Sequence, residues 1–162
     1  MLTEIEGNLL DIEGGGIVAQ QVNCQGVMGS GLAKQIRTKW PKVYNEYRDR
    51  VNEAREKYPD TYGRYLLGSC HLHLVDSYAG EYGLLVANLF GQEFYGTDHK
   101  QTNYGALGEA LRRLSAHDYT QIYLPYRLGS DLAGADWAVV SELIEFYIPE
   151  VIIVRLPEVN HG

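Results

Sequence analysis

The chain has 162 residues, 45% hydrophobic and 22% charged, with a formal net charge of −7. That length is enough for one domain with its own core, and the acidic balance excludes a chain that grips nucleic acid nonspecifically through a basic surface. No segment reads as a signal peptide or a membrane span, and Cys24 and Cys70 stand far apart in no metal-ligand spacing, so the expectation is a reduced, cytoplasmic protein with two free thiols. Thirteen tyrosines against three phenylalanines suit a polar cleft, since tyrosine packs like an aromatic and still presents a hydroxyl.

In chain order, residues 2 to 6 read as a short edge strand, followed by Gly7-Asn8-Leu9-Leu10-Asp11 and a turn through Gly14, Gly15 and Gly16. Residues 17 to 22 form the first clear strand, apolar enough to be covered on both faces. A loop with Gly26, Gly29, Ser30 and Gly31 leads into a helical period of Leu32, Ile36 and Trp40. Pro41 interrupts it, and Val43, Tyr44, Tyr47, Val51 and Ala54 carry the period on to about Tyr58. Residues 65 to 78 read as extended, and with the buried strand at 84 to 90 they make a hairpin. A polar loop runs from Gly91 to Gln101, and Thr102 or Asn103 caps the helix that buries Leu107, Ala110, Leu111 and Leu114. A strand at 122 to 125 opens into a second Gly-containing loop, residues 126 to 136. A helix from 137 to 147 and a strand at 151 to 154 follow.

Strands alternating with helices predict a three-layer α/β/α fold over a mixed sheet, with one hairpin among crossover connections. Both Gly loops follow strands and precede helices. Such loops turn backbone N–H groups and a positive helix end outward, where they accept an anion or phosphate. Neither loop has the spacing of GxxxxGK[ST] or GxGxxG, which disfavours an ordinary nucleoside-triphosphate or dinucleotide site.

The loops resemble those of macro domains. The resemblance rests on Gly7-Asn8-Leu9-Leu10, on Gln21-Val22-Asn23-Cys24-Gln25-Gly26-Val27-Met28-Gly29-Ser30-Gly31-Leu32-Ala33, on Ala87-Asn88-Leu89-Phe90-Gly91-Gln92, on Thr102-Asn103-Tyr104, and on Leu124-Pro125-Tyr126 through Trp137. It implies one macro domain over 1–162, about six strands in the sheet, and a cleft for ADP-ribose. The branch it resembles holds phosphatases of ADP-ribose 1''-phosphate, terminal ADP-ribose glycohydrolases and macro-domain antitoxins. By that resemblance Asn8 and Leu9 meet the adenine, Asn23 hydrogen-bonds the distal ribose, and Gly26, Val27, Met28, Gly29, Ser30, Gly31 and Leu32 surround that ribose and the diphosphate. Leu128, Gly129, Ser130, Asp131, Leu132 and Ala133 match the diphosphate loop, and Tyr126 and Gln92 complete the set of substrate-binding residues. Asp131 departs from the usual Gly-Cys-Gly pattern of that loop.

Asp136, directly before Trp137, matches the acid or base of the phosphatase-like branch, and as a carboxylate it can position or deprotonate a water. Its other reading is an N-cap of the following helix, a compatible role. Asp131 and His99 are the further catalytic candidates. His71 and His73 alternate along a strand with no third metal ligand near, which makes them a polar strand face. The glycohydrolase members carry a lysine where this chain has Gln92, and a glutamine forms no covalent adduct with a sugar carbon. Cys24 has no histidine beside it in sequence to activate it. The leading expectation is therefore hydrolysis of ADP-ribose 1''-phosphate to ADP-ribose and phosphate, without cofactor or metal, by a monomer that binds neither membrane nor nucleic acid nonspecifically. The alternatives are removal of ADP-ribose from a modified protein or nucleic acid, and a non-catalytic ADP-ribose reader.

Overall fold

In the computed structural model, which describes residues 2–96, 98–118, 121–130 and 133–158, strands and helices alternate. They run β1 (Thr3–Glu6), a 3-10 turn (Leu9–Asp11), β2 (Gly16–Val22), α1 (Gly31–Lys39), α2 (Pro41–Lys57), α3 (Tyr62–Leu66), β3 (Cys70–Asp76), β4 (Leu84–Phe90), α4 (Tyr104–Ser115), β5 (Ile122–Pro125), α5 (Trp137–Tyr147) and β6 (Ile152–Arg155). The sheet order is β1-β6-β5-β2-β4-β3, parallel throughout except for the antiparallel pair β3–β4. The mixed six-stranded sheet and its hairpin agree with the sequence-based expectation.

Successive side chains of a strand point to opposite faces, and β2 uses both. Ile17 and Ala19 pack with Leu107, Leu111 and Leu114 of α4 and with Val140 and Ile144 of α5. On the other face Val22 and Phe90 meet Ile36 of α1 and Val43, Tyr47 and Val51 of α2. Pro41 sits at the first position of α2, and the residue before a proline is pushed out of helical geometry, so Trp40 breaks the helical period into α1 and α2.

Two parts of the fold differ from the sequence reading. Residues 65 and 66 belong to α3 rather than to an extended segment; Leu66 is drawn into the core beneath α2, and Gly68 at φ +85° then turns the chain into β3. His73 is no polar surface residue either. It is 3% exposed, with Nδ1 3.1 Å from Glu46 Oε1 and Nε2 3.3 Å from Asn88 Nδ2. The ring of His71 meets Phe90 edge-on at 4.8 Å, and its Nδ1 is buried without a hydrogen bond among the described residues. No helix is long and apolar enough to cross a membrane, among the described residues.

Burial pushes the pKa of His71 down to about 4, with Arg50, His73 and Arg113 adding to the effect, and burial also lowers that of His73. A histidine that stays neutral in the fold but takes a proton near pH 6.5 when unfolded costs stability as the pH falls from 6.5 towards 4. At pH 5 the His71 contribution is about 2 kcal/mol, or about 4–8 °C in Tm for a domain of this size. A His71→Phe variant, which keeps the ring contact with Phe90, is expected to remove most of this loss in thermal melts between pH 7 and pH 5.

Candidate functional site

The chain leaves β2 towards the β4–β3 side of the sheet and leaves β5 towards the β6–β1 side. Adjacent parallel strands whose connections part in this way leave a crevice at their carboxyl ends, where ligands of open α/β sheets bind. A cleft of about 460 Å³ occupies that place. The loop after β2 lines it with Asn23, Val27, Gly29, Ser30, Gly31, Leu32 and Ala33, and the loop after β5 with Tyr126, Arg127, Leu128, Gly129 and Ala133. Gln92, Tyr95 and Gly96 close it from the β4 side.

The first loop is held from beneath. Asn23 Oδ1 accepts from the N–H groups of Gln25 at 2.9 Å and Val27 at 3.4 Å, while its Nδ2 donates to the Val27 carbonyl at 2.9 Å. Tyr47 Oη, buried on α2, lies 2.6 Å from the Asn23 carbonyl and 2.8 Å from Asn23 Oδ1, and it accepts from Gly26 N at 3.2 Å. Asn23 is thus first a clasp for its own loop, with one amide hydrogen left for a ligand. Ser30 begins α1 without a side-chain cap, so the first-turn N–H groups of Gly31, Leu32 and Ala33 are left to the cleft, at the positive end of the helix.

The second loop is tied to the first through Gln21. Its Nε2 donates to Gln92 Oε1 and to Thr102 Oγ1, both at 2.9 Å, and Thr102 Oγ1 donates to the Gly129 carbonyl at 2.7 Å. Gly129 has φ +69°, and a Cβ there would stand 2.7 Å from Gln21 Oε1; a Cβ on Gly91 would collide with the same oxygen. Both glycines are the space into which Gln21 fits. Arg127 holds φ +63°, which a residue with a side chain rarely adopts, and it is the sole Lys or Arg among the described residues of the cleft.

Eleven of the binding residues expected from the sequence line the cleft: Asn23, Val27, Gly29, Ser30, Gly31, Leu32, Gln92, Tyr126, Leu128, Gly129 and Ala133. Gly26 and Met28 support the loop from behind, Met28 wholly buried. Ser130 is buried with Oγ on the Leu128 carbonyl at 3.3 Å. Leu9 packs into the core beside Leu32 and Trp40, and Asn8 caps the 3-10 turn through Leu10 N; neither lines the cleft. Leu132 and Asp131 lie outside the described residues.

Asp136 takes the N-cap position of α5, its carboxylate accepting from Ala138 N at 2.9 Å while its own N–H donates to Tyr104 Oη. It is exposed and lies outside the residues that line the cleft. His99 borders a second, open cavity with Lys100 and Tyr104, its ring nitrogens near Asp98 and Gln101. Burial, and next to it the charge of Glu93, pushes the Cys24 thiol up to about 12, which leaves almost no nucleophilic thiolate at neutral pH. Among the described residues no three His, Cys, Asp or Glu side chains come together to hold a metal ion.

Among the cleft residues not expected from the sequence are Gln20, Gln21, Tyr95 and Arg127. Two adjacent glutamines ending the apolar run of a buried strand are a signal in themselves, because such a strand has no water to satisfy them. The fold and site define a three-layer α/β protein with a cleft at the carboxyl edge of its sheet, lined by two Gly-containing loops and the first turn of α1. No protein-family model matches the chain. It is 34% identical over 174 aligned positions to an ADP-ribose 1''-phosphate phosphatase of Saccharomyces cerevisiae (strain YJM789), over 89% of this chain and 91% of the relative. A macrodomain protein from Streptomyces coelicolor superposes with a TM-score of 0.71 at 25% identity over 100% of both chains. DarTG of Thermosipho africanus, in complex with ADP-ribose, superposes with a TM-score of 0.70 at 18% identity over 97% of this chain and 42% of that one. The chain belongs to the macro-domain family.

Replacing Tyr47 by Phe keeps the packing but strips the Asn23 carbonyl and Gly26 N of their partner. The expected cost is about 1–3 kcal/mol, read as a lower midpoint in urea denaturation.

Proposed function

We propose that this protein hydrolyses ADP-ribose 1''-phosphate to ADP-ribose and phosphate. The observation that carries the reading is the meeting of two Gly loops, with α1's uncapped first turn and Arg127, in one cleft sized for a nucleotide-like ligand. The yeast relative is a phosphatase of that compound, and the T. africanus neighbour holds ADP-ribose. In this reading the diphosphate lies against the N–H groups of Gly31, Leu32 and Ala33, opposite Gly129 and Arg127. The spare amide hydrogen of Asn23 meets a hydroxyl of the distal ribose.

Water attacks the phosphorus of the 1''-phosphate, the P–O bond to the anomeric oxygen breaks, and that oxygen leaves as the hydroxyl of ADP-ribose. A carboxylate from the second loop takes the water's proton, and the leaving anomeric oxygen takes up a proton in turn, from that carboxylic acid or from solvent, as the P–O bond breaks. Asp131 stands in the chain between the cleft-lining Gly129 and Ala133, whereas Asp136 caps α5 and is not among the residues that line the cleft, so Asp131 is assigned as the base and Asp136 as a positioning residue. His99, outside the cleft, is assigned no part. A lysine-based glycohydrolase has less support: Gln92 has its amide between Gln21 and the Phe94 carbonyl, and the Lys100 ammonium sits 4.4 Å from the centre of the Tyr104 ring. This reading is of a single-domain monomer, and two free thiols fit the reducing cytoplasm.

The test is phosphate release from ADP-ribose 1''-phosphate. Wild type is expected to turn over, Asp131→Asn to fall by about 100-fold or more, and Asp136→Asn, which still caps α5, to keep most activity. Arg127→Gly suits φ +63° and is expected to leave Tm unchanged while raising KM about tenfold. No phosphate from wild type, with ADP-ribose freed instead from a modified protein or nucleic acid, would replace this reading by the second one. Binding without any turnover would make the protein a reader.

A further inference from the structure

Gln92, just beyond β4, is half-buried and lines the cleft. β2 and β4 run in register up to Val22 and Phe90, and Cys24 N donates to the Glu93 carbonyl at 3.0 Å, so Gln92 stands next to Asn23 along the carboxyl edge of the sheet. Both ends of its side-chain amide are held. Oε1 accepts from Gln21 Nε2 at 2.9 Å, and Nε2 donates to the Phe94 carbonyl at 2.6 Å. The second hydrogen on Nε2 has no partner among the described residues. The Glu93 carboxylate, which would repel an anion, packs against Gly63 of α3 and borders the second cavity rather than the cleft.

The orientation of the Gln92 amide follows from its outer partner. A carbonyl only accepts, so Phe94 requires the amide nitrogen and turns the amide oxygen inward. That oxygen requires a donor from Gln21. Thr102 requires the same, because its one hydroxyl hydrogen goes to the Gly129 carbonyl at 2.7 Å. Gln21 therefore gives its nitrogen to both and leaves Oε1 buried between Gly91 and Gly129, with no partner among the described residues. An unpaired buried acceptor costs stability. What it secures is a single setting of the Gln92 amide, nitrogen outermost, which puts a neutral donor at the wall of the cleft.

We propose that Gln92 is a specificity-determining residue that reads the 1''-phosphate, its free Nε2 hydrogen donating to an oxygen of that group. The inference rests on the reading of the cleft as a site for ADP-ribose 1''-phosphate and adds which residue separates this substrate from its product. In that reading the distal ribose lies beside Asn23, so the substituent on its anomeric carbon falls to the neighbouring wall, where Gln92 stands. A phosphate oxygen only accepts, and an amide N–H fixed in advance meets it without any proton changing hands. ADP-ribose carries a hydroxyl at the same carbon, which turns freely to other partners, so its binding does not depend on this bond. The phosphate is anionic before and during the attack of water. The bond therefore stabilises ground state and transition state alike and acts on KM rather than on kcat.

Steady-state hydrolysis of ADP-ribose 1''-phosphate, set beside calorimetric titration with ADP-ribose, tests this, with folding checked by thermal melts. Gln92→Met keeps the length of the side chain but offers neither donor nor acceptor. It is expected to raise KM about tenfold, with kcat and the Kd for ADP-ribose within about twofold of wild type. Gln92→Glu still accepts from Gln21, which keeps the loops together, but sets a negative charge against the phosphate. It is expected to raise KM about 100-fold and again to leave the Kd for ADP-ribose within about twofold. An equal loss for both ligands would make Gln92 a brace of the loops and overturn the assignment, as would an unchanged KM in Gln92→Met; either result leaves the cleft as an ADP-ribose site. A wild-type protein that releases no phosphate would overturn the reading of the cleft and this inference with it.

Discussion

The cleft depends on one side-chain amide. Gln21, second to last in β2, donates to the β4 loop at Gln92 and to Thr102, and through the Thr102 hydroxyl reaches the β5 loop at Gly129. Three loops that would otherwise be free to part are thereby fixed against one another at the carboxyl edge of the sheet. The arrangement needs space as well as partners, and the missing Cβ atoms of Gly91 and Gly129 supply it. Within this network the Gln21 amide nitrogen and the Thr102 hydroxyl are paired, while Gln21 Oε1 is buried between Gly91 and Gly129 with no hydrogen-bond partner among the described residues.

Around that hub the two faces of β2 divide the labour. On the α4–α5 face Gln21 holds the loops together; on the α1–α2 face Asn23 and Tyr47 clasp the first loop, and Gln20 leads into the chain through Asn88 and His73 to Glu46. The cleft itself is lined by backbone and neutral side chains, with Arg127 as its cation among the described residues. Under the proposed function a protein of net charge −7 suits an anionic ligand because oriented N–H groups and a helix end, rather than a basic surface, supply the attraction.

Much of this was legible in the sequence. The apolar run of β2, the period of α4 and the pairing of β3 with β4 are written in hydrophobic spacing, and the loops in their glycines. Eleven cleft residues followed from the resemblance of those loops. What the sequence concealed has physical reasons. The short helix α3 depends on Leu66 finding the core under α2, a tertiary contact that no local period announces. His73 reads as a polar residue on an alternating strand until α2 and β4 bring Glu46 and Asn88 to it. Whether Asp136 reaches the cleft as well as capping α5 could not be read without geometry, because an N-cap and a general base call for the same residue type.

The account makes one claim above the others: the two Gly loops and the Gln21 hub form a preset cleft for ADP-ribose with its diphosphate between them. A crystal structure of the protein with ADP-ribose tests it most directly. The account predicts the diphosphate within hydrogen-bond distance of the N–H groups of residues 31 to 33 and of the Arg127–Gly129 segment, the distal ribose beside Asn23, and the Gln21–Thr102–Gly129 contacts unchanged. ADP-ribose bound elsewhere, or bound here only after those contacts have broken, would contradict it.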